Sequence, residues 1–78
     1  MRRTNGDVAA FLRRIADLHD IVEDNAFKTR AYRMAADAVE ELHEPVAEIA
    51  RRGQSALREL PGIGKSISTQ IAEFLETG

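Results

Sequence analysis

The chain has 78 residues, of which 44% are hydrophobic and 31% charged, and it contains no cysteine. This length suits one small domain with a barely sufficient core, and the composition excludes disulfides and thiolate metal sites. The two histidines, His19 and His43, are too few and too far apart in sequence to form a zinc site. No apolar run approaches membrane-spanning length and no signal-peptide core opens the chain, so we expect a cytoplasmic protein.

Charge is unevenly distributed along the chain, although the net charge is only −2. Residues 26–34 contain three basic side chains and no acid, whereas residues 35–50 contain five acids and no Lys or Arg. Residues 51–78 are basic again, with four basic side chains against three acids. Two blocks of positive charge therefore predict localised binding of an anionic partner, weakened by added salt.

The start of the chain is typical of a capped amphipathic helix. Thr4, Asn5 or Asp7 can cap this helix, which we expect to end near residue 23. Apolar residues recur at helical spacing along it. They predict a buried stripe of Phe11, Ile15, Leu18 and Val22, with Val8 and Leu12 beside it.

A second helix is predicted over residues 26–42, because Asp24 and Asn25 break the first helix and can cap the next. Its predicted inward face comprises Phe27, Ala31, Met34 (or Ala35), Ala38, Val39 and Leu42. Pro45 suits the first turn of a short third helix, which Gly53 stops after residue 52. Ser55 then caps a fourth helix. No segment alternates with period two, so we predict an all-α bundle of four to five short helices.

A turn with two glycines is the central feature of the second half. Pro61 cannot continue the preceding helix, and Gly62 and Gly64 permit dihedral angles closed to other residues. Ile63 between them is apolar, and we expect it to fill the space between two helices. The last helix is predicted over residues 64–77, with Ile67, Ile71 and Leu75 on one buried face.

With Leu57 and Leu60 before the turn and Ser68 at a small-residue position, residues 55–77 resemble the helix-hairpin-helix motif. A helix N-terminus presents unpaired N–H donors and a positive dipole end, and glycines there let a DNA phosphate approach. Such contacts read no base, so the motif implies sequence-independent DNA binding. A purely structural turn is the alternative interpretation. A nucleotide-binding P-loop is excluded, because Glu59 stands where its first glycine is needed.

A second basic stretch, residues 27–36, precedes the hairpin. Lys28 and Tyr32 are four residues apart and therefore neighbours on one helix face. A mobile ammonium group and a phenolic hydroxyl together suit a terminal phosphate. The alternative is that Tyr32 packs against the core while the cations form a solvated face.

Together the two stretches resemble the N-terminal domain of the family X DNA polymerases, particularly the bacterial ones. The matching segments are Asn-Ala-Phe-Lys-Thr-Arg-Ala-Tyr-Arg-Met-Ala-Ala (residues 25–36), Leu-Pro-Gly-Ile-Gly-Lys (60–65) and Ile-Ala-Glu-Phe-Leu-Glu-Thr-Gly (71–78). Their order and spacing agree with the family over nearly the whole chain. The resemblance implies a domain that binds gapped or broken DNA at its downstream 5′-phosphate during base excision repair, associated with the bacterial nucleoid. It also implies a single domain, residues 1–78, followed by polymerase domains in the full-length protein.

The resemblance further assigns site residues. Lys28, Tyr32 and Arg58 fall where the family lines its 5′-phosphate pocket, and the glycine amides fall where it contacts DNA phosphates. The predicted DNA-binding set is Lys28, Tyr32, Arg33, Arg58, Gly62, Ile63, Gly64, Lys65 and Ser66. The family hairpin also holds Na⁺ or K⁺ through main-chain carbonyls, here those of Arg58, Leu60 and Ile63. We expect no other cofactor.

Two other functions are open as alternatives. Eukaryotic members act as 5′-deoxyribose-phosphate lyases through a lysine of the last helix, but Gln70 stands at that position and has no nucleophilic amine. Another lysine of that pocket is replaced by Ser66. We therefore expect a non-catalytic domain, with at most a weak lyase activity through Lys65 or the N-terminus. The acidic block at residues 35–50 favours the second alternative, a helical protein-interaction domain.

Overall fold

The computed structural model of this chain describes residues 3–23 and 25–77, in which short turns join a series of helices. The elements are helix α1 (Asn5–Leu18), a π-helical segment (His19–Glu23), and helices α2 (Ala26–Glu40), α3 (Val46–Arg51), α4 (Gln54–Arg58) and α5 (Lys65–Thr77). No strand occurs in these two ranges, so the predicted all-α class is confirmed. Asp24, predicted to help break the first helix, lies outside the described residues.

Helix α1 begins at a capping box. The Thr4 hydroxyl accepts a hydrogen bond from the Asp7 N–H at 3.0 Å, and the Asp7 carboxylate accepts one from the Thr4 N–H at 3.0 Å. Each bond satisfies a backbone donor that has no partner within the helix. Thr4 is therefore the cap among the three predicted candidates. The backbone and side-chain bonds from Thr4 lower the pKa of Asp7.

Helices α1 and α2 lie antiparallel, with small side chains between them. The Thr29 hydroxyl donates to the Ala16 carbonyl at 3.4 Å, while Arg13 reaches Asp37 at 2.9 Å farther along the pair. The residues that the two helices bury are Val8, Ala9, Leu12, Ala16, Thr29, Tyr32, Ala35, Ala36 and Val39. Because helix separation depends on the side chains at the contact, four alanines allow a close approach.

The predicted buried stripe of the first helix is wrong at its C-terminal end. Leu18 is 54% exposed and Val22 is 74% exposed, while Phe11 and Ile15 are only partly buried. Leu18 lies across the helix from the row that faces α2. Val22 lies in the π-helical segment, where the wider turn breaks the four-residue spacing. The core takes the residues predicted beside the stripe, Val8 and Leu12.

The predicted inward face of the second helix is wrong at Phe27, and of the alternatives Met34 and Ala35 it is Ala35 that is buried. Phe27 is 83% exposed and Met34 is 57% exposed, whereas Ala35 and Val39 are fully buried. Thr29 of α2 contacts α1, and Phe27 and Met34 lie on the outward side of α2. Ala31, Ala38 and Leu42 are partly buried. The helix ends at Glu40, two residues before the predicted end.

Two short helices connect α2 to the hairpin. Pro45 immediately precedes α3 instead of lying in its first turn. Gly53 has φ 110° and separates α3 from α4, which confirms that it stops the third helix. Ser55 lies inside α4 and does not cap it, so that prediction is wrong.

The side chain of Asn5 joins α1 to the start of α3. Its amide group donates to the Glu44 carbonyl at 3.0 Å, and its carbonyl oxygen accepts from the Val46 N–H at 2.7 Å. Pro45 supplies no side-chain cap to α3. A residue distant in sequence therefore satisfies the first backbone donor of that helix.

Replacing Asn5 by alanine leaves the Val46 N–H without its partner. We expect Asn5→Ala to lower the free energy of unfolding by about 1–2 kcal/mol, measured by urea denaturation. His43→Ala, at an exposed residue of the same loop, is the control and should change it little. Equal effects of the two substitutions would contradict the bridging role.

Arg13 binds two acids of α2 at the molecular surface. Its guanidinium lies 2.9 Å from Asp37 and 2.8 Å from Glu40. The hydrogen bond from Arg13 holds the pKa of Glu40 below its ordinary value of 4.5. Because folding lowers this pKa, the Arg13–Glu40 pair stabilises the fold at pH values above the ordinary pKa of a glutamate. This stabilisation is lost as the pH falls through the lowered pKa of Glu40 in the folded state.

This linkage predicts a pH-dependent effect of Glu40→Gln. We expect the variant to have a lower Tm than the wild type at neutral pH, and the difference to vanish as the pH falls below 4.5 and through the lowered pKa of Glu40 in the folded state. Thermal unfolding followed by circular dichroism measures it. Glu41→Gln is the matched control, because Glu41 is exposed and forms no ion pair with a described residue. A difference that persisted in acid would mean that Glu40 acts through packing instead of charge.

Candidate nucleic-acid interface

The hairpin consists of α4, a turn and α5. Ile63 is only 3% exposed, and its N–H donates to the Leu60 carbonyl at 3.1 Å, which closes the turn. The buried apolar residues of the flanking helices are Leu57, Ile67 and Ile71. Ile63 therefore fills the space between the two helices, as the sequence predicted.

Ser68 permits close packing within the hairpin. It is fully buried, and its hydroxyl donates to the Lys65 carbonyl at 2.8 Å. The predicted small-residue position is thus buried without loss of a hydrogen bond. A second polar contact, from the Thr69 hydroxyl to the Gln54 side chain at 3.3 Å, joins α5 to α4.

The backbone conformation favours glycine at only one of the two turn positions, Gly62. Gly62 has φ 80°, which glycine adopts readily, and a Cβ there would lie 3.9 Å from the Met34 Cβ. Gly64 has no left-handed φ, so the prediction that both glycines need unusual dihedral angles is wrong for it. Instead, a Cβ at Gly64 would meet no described atom within 4 Å outside its chain neighbours. The space in front of Gly64 is open.

This open space adjoins the N-terminus of α5. The Gly64 carbonyl accepts the Ser68 N–H at 2.9 Å, so the amides just before Ser68 have no acceptor within the helix. These amides carry the positive end of the dipole of a 13-residue helix. Lys65 and Ser66 are exposed beside them. An anion can therefore approach the amides with no side chain in its path.

Four basic side chains near the hairpin and the start of α2 are exposed and form no ion pair with a described residue. They are Lys28, Arg30, Arg58 and Lys65. In contrast, Arg13, Arg33, Arg51 and Arg52 each lie within 3.5 Å of an acid. The first four charges are therefore available to an anionic ligand.

Tyr32 contacts the last helix. It is 6% exposed, and its hydroxyl donates a hydrogen bond to the Gln70 side-chain carbonyl. The His19 ring stacks on it, with ring centroids 5.4 Å apart. This burial fits the interpretation of Tyr32 as a packing residue. To donate to a phosphate, its hydroxyl would have to leave Gln70.

Two basic residues of the predicted DNA-binding set, Lys28 of the pocket and Arg33 outside it, lie on different faces of α2. Lys28 is exposed in the first turn of α2, where the Asn25 side chain caps its N–H at 3.1 Å. It shares the helix face of Tyr32, one turn away. Arg33 instead points toward α1 and lies 3.1 Å from Asp17. The structure thus groups Lys28 with Tyr32 and places Arg33 apart from them.

A cleft of about 450 Å³ lies between α2 and the hairpin turn, and the sequence did not indicate it. Its lining residues are Ala26, Phe27, Arg30, Ala31, Met34 and Gly62. Sequence patterning assigned Phe27 and Met34 to the core because both are large and apolar. The one sequence feature that could have indicated an exposed Phe27 was its position within a basic segment that lacks acids.

The predicted monovalent-cation site involves carbonyls of the same turn. The Leu60 carbonyl accepts the Ile63 N–H at 3.1 Å and keeps its second lone pair. Cation binding there stays a prediction. No helix among the described residues is long and apolar enough to span a bilayer.

Comparison with known proteins agrees with this geometry. A family model described as a helix-hairpin-helix domain matches residues 3–78. No curated protein matches the chain significantly. Helix-hairpin-helix domains generally bind DNA without sequence specificity. With a buried Ile63 between two glycines and a family match over nearly its whole length, the chain belongs to the helix-hairpin-helix domain family.

Proposed function

We propose that this chain is a DNA-binding module that holds the phosphate backbone without reading base sequence. The observation that carries this proposal is the open space at Gly64, directly before the free amides of α5. Amides and a helix dipole recognise a phosphate oxygen whatever base it accompanies. The exposed cations Arg58 and Lys65 on either side of the turn add long-range attraction.

The internal pairing of the acidic block supports DNA binding over the protein-interaction alternative. Asp37 and Glu40 are bound to Arg13, while Glu44 and Glu48 pair with Arg52 and Arg51. These acids are therefore partly neutralised within the fold. At the hairpin, Arg58 and Lys65 have no ion-pair partner in the part of the chain that the structure describes, so the negative net charge is compatible with an anionic ligand there.

We further propose that the module is the N-terminal domain of a family X DNA polymerase. In this role it binds the downstream 5′-phosphate of gapped or broken DNA during repair at the bacterial nucleoid, ahead of polymerase domains. Supporting it are the three matching segments and the exposed Lys28, which lies one turn from the Tyr32 that hydrogen-bonds to Gln70. By the resemblance, Gln70 stands at the position of the lyase nucleophile and has no amine, so we propose binding without lyase chemistry.

The hairpin contact is tested by Gly64→Val. A side chain at this position meets open space, so we expect the fold to persist while the blocked approach weakens binding to duplex DNA about tenfold. Fluorescence anisotropy measures the affinity, and thermal unfolding measures stability. Gly53→Val is the comparison for backbone strain, because Gly53 has φ 110° and lies outside the hairpin turn. Loss of stability in Gly64→Val equal to that in Gly53→Val would mean that the glycine serves only the turn.

The phosphate pocket is tested by Lys28→Glu. We expect the wild type to prefer a gapped duplex that carries the downstream 5′-phosphate, and the preference to fade with added salt. Lys28→Glu should abolish this preference. Arg51→Glu is the matched control, since it changes net charge equally on another face and should weaken binding without altering the preference. If Lys28→Glu kept the preference, the pocket assignment would be wrong.

A further inference from the structure

The large apolar residues that the structure leaves exposed lie close together in the chain. They belong to the end of α1, the π-helical segment and α2, and are Leu18, Ile21, Val22, Phe27 and Met34. In contrast, the large apolar residues described in α3, α4, α5 and the hairpin turn are buried or half-buried. Single exposed apolar residues are ordinary, whereas a concentration of them indicates an interaction surface.

Two adjoining grooves join several of these residues into one surface. The cleft of about 450 Å³ beside the hairpin turn and a second groove of about 320 Å³ share Arg30 and Met34 among their lining residues. Phe27 lines the first groove, and Asp20 lines the second. Ile21 follows Asp20 in the π-helical segment and is 78% exposed. We call these five residues the Met34 surface, which extends from the π-helical segment across α2.

The Met34 surface carries one acid and one base that are unpaired. Asp20 and Arg30 are both exposed, and neither forms an ion pair with a described residue. The other two charged residues of the second groove, Arg33 and Asp37, are already paired with residues of α1. An acid on the surface opposes a nucleic acid there, because it repels phosphates. One charge of each sign beside apolar residues instead suits a partner with the same pattern.

We propose that two copies of this chain associate through the Met34 surface about a two-fold axis. In a two-fold pair the same patch of each copy faces the other, so the patch has to be complementary to itself. Asp20 of each copy meets Arg30 of the other copy, which forms two ion pairs, while the apolar residues bury one another. Lys28 and Gly64 line neither groove. The association is therefore independent of the proposed phosphate contacts.

The test exchanges the two charges between copies. Sedimentation equilibrium of the wild type between about 1 µM and about 1 mM protein should show a shift from monomer to dimer, as weak complexes do. Asp20→Arg and Arg30→Asp, each alone, place like charges opposite each other and should weaken the dimer about tenfold. An equimolar mixture of the two variants should recover the wild-type affinity, because their heterodimer has opposite charges at both contacts.

Two further variants test the apolar contact and control for overall charge. Ile21→Ser should weaken the dimer about tenfold while the monomer unfolds near the wild-type Tm, because the Ile21 side chain is buried only in the dimer. Glu59→Arg changes the net charge as Asp20→Arg does, at an exposed residue outside both grooves, and should leave association unchanged. A wild type that stays monomeric, a mixture that does not recover, an Ile21→Ser variant that dimerises normally, or an equal loss in Glu59→Arg would each overturn the proposal.

Discussion

The close packing of α1 against α2 determines which residues this domain presents to its surroundings. Thr29 meets Ala16 at this contact, and the buried side of α2 comprises Thr29, Tyr32, Ala35, Ala36 and Val39. The opposite side of α2 then carries Phe27 and Met34 outward, next to the hairpin turn. A larger side chain at Ala16 would separate the two helices and change the orientation of α2.

The net charge of the chain is slightly negative, and ion pairs within the fold determine which charged side chains are available to a ligand. Four of the five acids of residues 35–50, all except Glu41, pair with Arg13, Arg51 or Arg52. Exposed pairs of this kind contribute little stability each. They reduce the unpaired negative charge of the surface, while Arg58 and Lys65 have no ion-pair partner among the described residues.

The contact between Tyr32 and Gln70 couples the two stretches that the sequence singled out. It places the middle of α2 against α5, and the His19 ring stacks on the same tyrosine. A glutamine in this place can orient the phenol by hydrogen bonding, but it cannot form a Schiff base. The local geometry therefore suits a binding surface whose polar groups are held in position before any ligand arrives.

Local features could be predicted from the sequence because neighbouring residues decide them. The Thr4 cap, the left-handed Gly53 and Gly62, and the buried Ile63 each follow from side-chain chemistry within a few residues. The orientation of α1 and α2 could not be predicted, since each helix carries more than one apolar row and periodicity does not say which row meets a partner. Tertiary packing buried the alanines and exposed Phe27. It also brought Gln70 to Tyr32 and Met34 to Gly62, contacts between distant residues that no local pattern records.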